Sequence, residues 1–261
     1  MKQYIVDLNS DLGEGFGAYA MPCDEEIIGL VSSANIACGW HAGDPLIMGK
    51  SIKLCQSCQT AVGAHPSYPD LMGFGRRAMK VSPAEAEAYI VYQVGALQGF
   101  CRQHGAKLQH VKPHGALYNA AAKDLQLARA IARGIRACGE ELIFLGLSGS
   151  CMEQAASEAG LAFAGEVFAD RAYSDDGSLV PRGQAGAVID DEDEAVSRTI
   201  KMIQEGRVVS QSGKEISIVA DSVCVHGDTP KAMAFLKALR SVFAREGIEI
   251  APLGRVLEVR R

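Results

Sequence analysis

Several short apolar runs of this chain end in side chains that could bind charge or move protons. In Ile5-Val6-Asp7-Leu8-Asn9-Ser10-Asp11, the residues Asp7, Asn9 and Asp11 alternate, so on a strand they share one side. Two carboxylates and an amide there could hold a metal, orient a water or position a ligand amine. Asp7 sits inside the run, where burial without a partner is costly. Asp7 and Asn9 are therefore taken as substrate-binding candidates and Asp11 as a catalytic one, although Asp11 could simply cap a turn. A second run leads into Cys38-Gly39-Trp40-His41-Ala42-Gly43-Asp44, where nothing structural requires the imidazole of His41, so it is a catalytic candidate. Asp44 reads as a helix cap. His65 ends a third run before Pro66 and is either a substrate contact or a buried, hydrogen-bonded residue. Asp11, His41 and His65 can be drawn as a transition-metal site, since zinc needs several N, S or O ligands close together. Their convergence is not visible in sequence, and a bound transition metal is not favoured.

Lys112-Pro113-His114-Gly115 is the most specific cluster. A lysine closing an apolar strand is rarely there for packing. Lys112 could neutralise an anion or stabilise charge developing on a carbonyl or phosphoryl oxygen. His114 could move protons near neutral pH. The plain alternative is a buried ion pair of Lys112 with Glu166 or Asp170. Glu166, Asp170 and Arg171 follow a later strand; Glu166 is a catalytic candidate, and Asp170 and Arg171 are substrate-binding ones. Arg171 either clamps a substrate carboxylate or orders its own loop. His226 closes the run Val223-Cys224-Val225 and completes the catalytic set. His110, between apolar neighbours, is expected in the interior. The loop Gly73-Phe74-Gly75-Arg76-Arg77 suits anions and suits solvent equally.

These residues need a scaffold that brings strand ends together. Helix signals follow the strand ends: Asp44-Pro45 before 46–56, and a Ser82-Pro83-Ala84-Glu85 capping box before a helix reaching about 103. Amphipathic or apolar segments predict helices over 124–138, 149–160 and 191–205, strands over 142–147 and 161–164, and a last long helix from Thr229-Pro230 to about 245. The alternation predicts an α/β protein: a single (β/α) barrel domain over 1–261, seven-stranded rather than eight-stranded. Residues 171–188 are expected to form an excursion over the barrel mouth. A doubly wound dinucleotide fold fits poorly, because Gly13-Glu14-Gly15-Phe16-Gly17 has the wrong glycine spacing.

Composition narrows the classes. The chain has 261 residues, 48% of them hydrophobic, and a net charge of -5, which suits one sizeable core and gives no basic block for nucleic acid. No apolar run is long enough to span a membrane, and the N-terminus lacks a leader-like apolar stretch, so a cytoplasmic location is expected. The eight cysteines are scattered, and Cys55-x-x-Cys58 reads as two small helical residues rather than a redox or zinc motif. Neither a Gly-x-x-x-x-Gly-Lys-Ser/Thr loop nor a Gly-x-Ser-x-Gly elbow is present.

The motifs Asp7-Leu8-Asn9-Ser10-Asp11-Leu12-Gly13-Glu14-Gly15, Asn35-Ile36-Ala37-Cys38-Gly39-Trp40-His41-Ala42-Gly43-Asp44, Lys112-Pro113-His114-Gly115-Ala116-Leu117-Tyr118, Glu166-Val167-Phe168-Ala169-Asp170-Arg171 and Val225-His226-Gly227-Asp228 resemble those of the LamB/YcsF family, over about 4–254. Trp40 is the one residue that departs from the smaller side chain expected in its loop, with an altered pocket as the consequence. The resemblance implies a seven-stranded barrel of the glycoside hydrolase/deacetylase-like kind and ATP-dependent opening of 5-oxoproline to L-glutamate. The cofactors implied are ATP with a divalent cation, Mg. The partners implied are two other 5-oxoprolinase subunits (B and C). Lys112, Arg171, His114 and Glu166 could supply the cations and the base such chemistry needs. Two other readings stay open: a non-catalytic component that binds substrate or docks partners, and a stand-alone metal-dependent deacetylase-like carbohydrate hydrolase.

Overall fold

A computed structural model describes residues 4–19, 24–225 and 232–260. Seven parallel strands close a barrel in the order β1 (Tyr4–Leu12), β2 (Ser33–Ala37), β3 (Ala61–His65), β4 (Leu108–Val111), β5 (Ile143–Leu147), β6 (Ala162–Phe168) and β9 (Ser222–Cys224), with β9 returning to β1. β1 is long enough to serve two neighbours on one edge. Tyr4, Ile5 and Val6 pair with β10 (Ile248–Ile250), and Asp7, Leu8 and Asn9 pair with β9. An antiparallel hairpin of β7 (Arg207–Val209) and β8 (Glu215–Ser217) lies outside the barrel.

Helices α1 (Asp24–Ile28), α2 (Pro45–Cys58), α3 (Pro83–His104), α4 (Gly115–Lys123), α5 (Leu125–Cys138), α6 (Cys151–Ala159), α7 (Glu192–Glu205), α8 (Ala232–Arg245) and α9 (Leu253–Arg260) make up the rest. The starts of α2 and α3 follow the sequence signals. Asp44 Oδ1 accepts from the amides of Leu46 and Ile47, and Ser82 and Glu85 form a reciprocal capping box ahead of Pro83. In α5, Leu127, Ile131 and Ile135 are buried while Arg129 and Arg133 face solvent, a helical stripe that seats the helix on its neighbours. Each large aliphatic side chain buried this way contributes roughly 1.5–3 kcal/mol. The main apolar core lies in this outer layer, joining Leu8, Ile36 and Phe144 to Ile52, Ile90, Leu97 and Ile131.

The barrel interior is different. Strand parity turns Asp7, Asn9 and Asp11 of β1 inward, opposite the inward residues of the other strands. Its apolar floor is small: Ile143, Leu145 and Ala164, with Leu253 of α9 packed against them. Above that floor the interior is polar, and that polar column leads to the site.

β6 runs on to Phe168, beyond the strand expected over 161–164, so Glu166 lies within the strand rather than after it. The hairpin β7–β8, β10 and α9 carry too short or too mixed a pattern to be read from sequence. Residues 171–188 form an excursion tied by the bridges Arg171–Val188 and Tyr173–Leu179 around a small cluster of Ala172, Val180 and Ala187. The start expected for the last long helix, Thr229-Pro230, lies outside the described residues, as does Cys23. Cys55 is buried and Cys58 exposed on α2, both unbridged, and burial pushes the Cys55 thiol up to about 12. Among the described residues no helix is long and apolar enough to cross a membrane.

Candidate active site

The polar column has three levels. At the lowest, Asp7 is fully buried and accepts from Ser32 Oγ at 2.7 Å, Ser33 Oγ at 2.6 Å and Ser222 Oγ. Burial pushes its carboxyl up to about 6, and the three hydroxyls only partly counter that. At the middle level, Asn9 Nδ2 donates to Ser222 Oγ at 2.7 Å and to Glu166 Oε1 at 3.1 Å. Asn35 Nδ2 donates to Asn9 Oδ1 and to Asp11 Oδ1, both at 2.8 Å. His110 Nε2 donates to Asn35 Oδ1 at 2.7 Å; burial holds His110 neutral by lowering it to about 3. Gly63 makes room for that ring, since a Cβ there would stand 2.0 Å from His110 Nε2.

At the top level, Lys112 Nζ lies 2.7 Å from Glu166 Oε1 and 2.9 Å from Asp11 Oδ1, with Asn9 Oδ1 and Cys224 Sγ each at 3.3 Å. Burial alone would strip its proton, but the two carboxylates outweigh it and hold Lys112 well above the ordinary lysine range. Tyr118 Oη donates to Glu166 Oε2 at 2.6 Å, so both oxygens of that fully buried carboxylate are satisfied.

Beside Lys112 stands a histidine cluster. The rings of His41 and His114 stack at 3.8 Å with an interplanar angle of 6°. Burial, and then the neighbouring imidazoles, hold both well below the usual histidine range, so both are neutral. His65 Nδ1 donates to the Lys112 carbonyl at 2.8 Å, and His114 Nε2 donates to the Phe74 carbonyl at 2.9 Å. Phe74 presents that carbonyl from a left-handed conformation, φ 54°, uncommon for a bulky residue and costing of order 1–3 kcal/mol. The next residue, Gly75, packs so closely that a Cβ would meet Ser67 Oγ at 2.2 Å. Glu14 Oε1 lies 3.3 Å from His41 Nε2 and 3.7 Å from His114 Nδ1.

These groups open into a cavity of about 530 Å³ at the C-terminal ends of the strands, in the range of small-molecule sites. Asp11, Glu14, His65, Lys112 and His114 line its base, Tyr118 and Phe168 one wall, and Ser178 to Arg182 of the excursion another. Arg76, Lys123 and Arg182 also line it and are exposed, which makes its mouth cationic.

The LamB/YcsF family model matches residues 6–258. The chain belongs to the LamB/YcsF family. It is 57% identical over 253 residues to the A subunit of the 5-oxoprolinase of Clostridium beijerinckii, spanning 97% of this chain and 99% of that one. It is 53% identical to the Pyrococcus abyssi protein of the same name, over 95% of this chain and 97% of the other. Among solved structures, a lactam utilization protein from Thermus thermophilus superposes with a TM-score of 0.88 at 44% identity, covering 94% of this chain and 98% of that one. A peptidoglycan deacetylase from Bacillus subtilis reaches a TM-score of 0.50 at 12% identity over 99% of this chain and 92% of its own, a likeness of fold alone.

In this LamB/YcsF chain, Asp11, His65, Lys112 and His114 reach the cavity together, while Asn9 and Glu166 lie beneath them and grip Lys112. His41 backs His114 from behind. Four substrate-binding expectations need correction. Asn9 lies beneath the cavity, spent on Ser222, Glu166 and Lys112. Asp7 lies four residues deeper on β1 than Asp11 and is consumed by serine hydroxyls. Arg171 lines the cavity, but its Nε and Nη2 donate to the carbonyls of Ala187 and Val180, so it orders the excursion instead of offering a fork to a carboxylate. Asp170 is not among the lining residues; its carbonyl accepts from Ile189 at the base of the excursion. Lys112 does form the buried pair with Glu166 that was the plain alternative, with Asp11 rather than Asp170 as its second partner. Trp40 does not line the cavity; it packs on Tyr89 and Tyr92 of α3. His226 lies outside the described residues. Sequence reasoning missed Glu14, Asn35, Tyr118 and Ser222. Glu14 and Tyr118 stood inside the quoted motifs, and Asn35 has the inward parity of a strand residue; Ser222 carried no signal of its own.

Proposed function

We propose that this chain is the A component of an ATP-dependent 5-oxoprolinase. It would bind 5-oxoproline in the cavity above Lys112 and open its lactam to L-glutamate together with two partner subunits, B and C, in the cytoplasm. The reading is carried by the 53–57% identity, over nearly the whole length, to proteins named as the A subunit of 5-oxoprolinase. The chemistry of the cavity agrees with it. Opening the ring adds one water across the C–N bond: its hydroxyl goes to the carbonyl carbon and a proton to the ring nitrogen. Lys112 is a fixed, protonated donor, suited to the negative charge that develops on the lactam oxygen. Asp11 is the carboxylate on the cavity side of that lysine, placed to take the proton of an attacking water. Glu166, beneath Lys112 and bonded to Tyr118 and Asn9, positions the ammonium rather than touching substrate.

ATP, when bound, would supply a phosphoryl group to the lactam oxygen that makes the carbonyl carbon more electrophilic toward the ring-opening water, and a second water would release that group as phosphate. The residues suited to its phosphates are the cations at the mouth, Arg76, Lys123 and Arg182, and Mg would accompany it. A phosphate-binding loop of the Gly-x-x-x-x-Gly-Lys-Ser/Thr kind is not part of the sequence. Glutamate release from 5-oxoproline with ATP, measured for the purified chain and for the chain mixed with the B and C components, tests the reading. Turnover that depends on the partners and on ATP is expected. No turnover in the full mixture would overturn the assignment, and full ATP-coupled turnover by the lone chain would overturn its multi-subunit part.

A further inference from the structure

The histidine cluster holds two nitrogens whose roles conflict. A backbone carbonyl can only accept, so His65 Nδ1 must carry hydrogen toward Lys112 O and His114 Nε2 toward Phe74 O. With both rings in the neutral form, the other nitrogens, His65 Nε2 and His114 Nδ1, each present a lone pair. Those two atoms face each other at 2.9 Å. Two lone pairs at that distance repel; a cation between them removes the repulsion. Two more donors converge on the same point. Glu14 offers a carboxylate oxygen, His41 a third imidazole, and one donor atom from each of Glu14, His41, His65 and His114 falls within 4.8 Å of all the others. His41 also keeps Nδ1, in a ring only 1% exposed, without a hydrogen-bond partner.

We propose that Glu14, His41, His65 and His114 form a binding site for one divalent transition-metal ion. With ligand bonds of about 2.0–2.1 Å, a tetrahedral ion sets its ligands about 3.3 Å apart. The separations here are 2.9 Å for His65–His114, 3.3 Å for His41–Glu14 and 3.7 Å for His114–Glu14, which bracket that value. The ring hydrogens of His65 and His114 are already taken by carbonyls, the outer-shell arrangement that fixes a ligating tautomer. Three imidazoles and one carboxylate select Zn(II), Co(II), Ni(II) or Fe(II) over Mg(II) or Ca(II), which prefer all-oxygen shells. Asp11 stands beside the set, with Oδ2 at 3.3 Å from His65 Nε2, while its Oδ1 is held by Lys112 and Asn35. Glu14, His65 and His114 line the cavity, so a bound ion would face the ligand space. The site follows from the donor geometry and does not depend on the 5-oxoprolinase reading.

The test is Co(II) titration of the full chain after chelator treatment, read by visible absorption and by metal analysis after desalting. No substrate or partner is needed, so failure here is separable from failure of the functional assignment. The expected result is a saturable band of low-symmetry Co(II), reaching one ion per chain and displaced by Zn(II). Glu14→Gln should weaken binding at least tenfold, the lower end of what losing even an outer-shell partner costs. His114→Asn should abolish the band; Asn is a favoured N-cap, so it keeps the start of α4, whose N-cap is His114. Near-ultraviolet dichroism confirms that both variants fold. No saturable Co(II) band in the wild-type chain, or a band that survives both substitutions in folded protein, would sink the proposal.

Discussion

Replacing Lys112 by Met removes the positive charge between two carboxylates while keeping an unbranched side chain one heavy atom shorter. Lys112 is 2% exposed, 2.7 Å from Glu166 and 2.9 Å from Asp11. At an effective dielectric near 20, each contact is worth about 6 kcal/mol of Coulomb attraction, much of it offset by the cost of burying the ions. Removing one partner of such an arrangement typically costs about 3–5 kcal/mol, because the remaining charge stays buried and unpaired. Here two carboxylates are stranded, each still holding neutral donors: Tyr118 and Asn9 on Glu166, Asn35 on Asp11. A loss of about 4 kcal/mol at pH 8 is expected. The pH dependence separates this account from simple loss of packing. In K112M the stranded carboxylates acquire folded-state pKa values above their unfolded ones, so the penalty grows as pH rises through the carboxylate range and shrinks at pH 5. In the wild type, Lys112 is raised well above 10.5 and adds no slope across that window. Urea denaturation at pH 5 and pH 8 measures both. A loss below about 1 kcal/mol at pH 8, or an equal loss at the two pH values, refutes the ion-pair reasoning. The double variant K112M/E166Q should lose less at pH 8 than K112M alone. Turnover of the reconstituted complex should fall at least about tenfold in K112M. Near-normal turnover with a strongly lowered melting temperature would remove Lys112 from the catalytic set.

Asp7 is raised from 3.8 to about 6 by burial, so the folded chain binds its proton more tightly than the unfolded chain does. Its contribution is fully present below about pH 4 and is lost as pH rises to about 6, a change of about 3 kcal/mol. Asp7→Asn should therefore gain on the wild type between pH 4 and pH 7 in paired urea melts; parallel pH profiles would contradict the buried-carboxylate account. Gly63→Ala sets a Cβ against the ring of His110 at 2.0 Å and should cost about 3 kcal/mol, partly recovered in G63A/H110A. A thermal shift showing G63A as stable as the wild type would mean that the ring is not held there.

The sequence by itself determined the barrel and its polar strand ends. Helix caps at Asp44 and Ser82 are local chemistry, and apolar runs punctuated by Asp11, His65 and Lys112 are a one-dimensional record of strands approaching one rim. The inward parity of Asp7, Asn9 and Asp11 was equally legible, because side-chain alternation is a property of any strand. What sequence did not contain was depth. Asp7 and Asp11 look alike four residues apart, yet one lies beneath serines and the other meets the cavity, since depth depends on the register between β1, β2 and β9. Arg171 looked like a substrate clamp because its hydrogen-bond partners, Val180 and Ala187, offer carbonyls, which every residue carries and no sequence pattern marks. The same reason hid the histidine cluster. Its members come from three different strand ends, and the two carbonyls that fix its tautomers, Lys112 O and Phe74 O, exist as constraints only once the chain has closed the barrel.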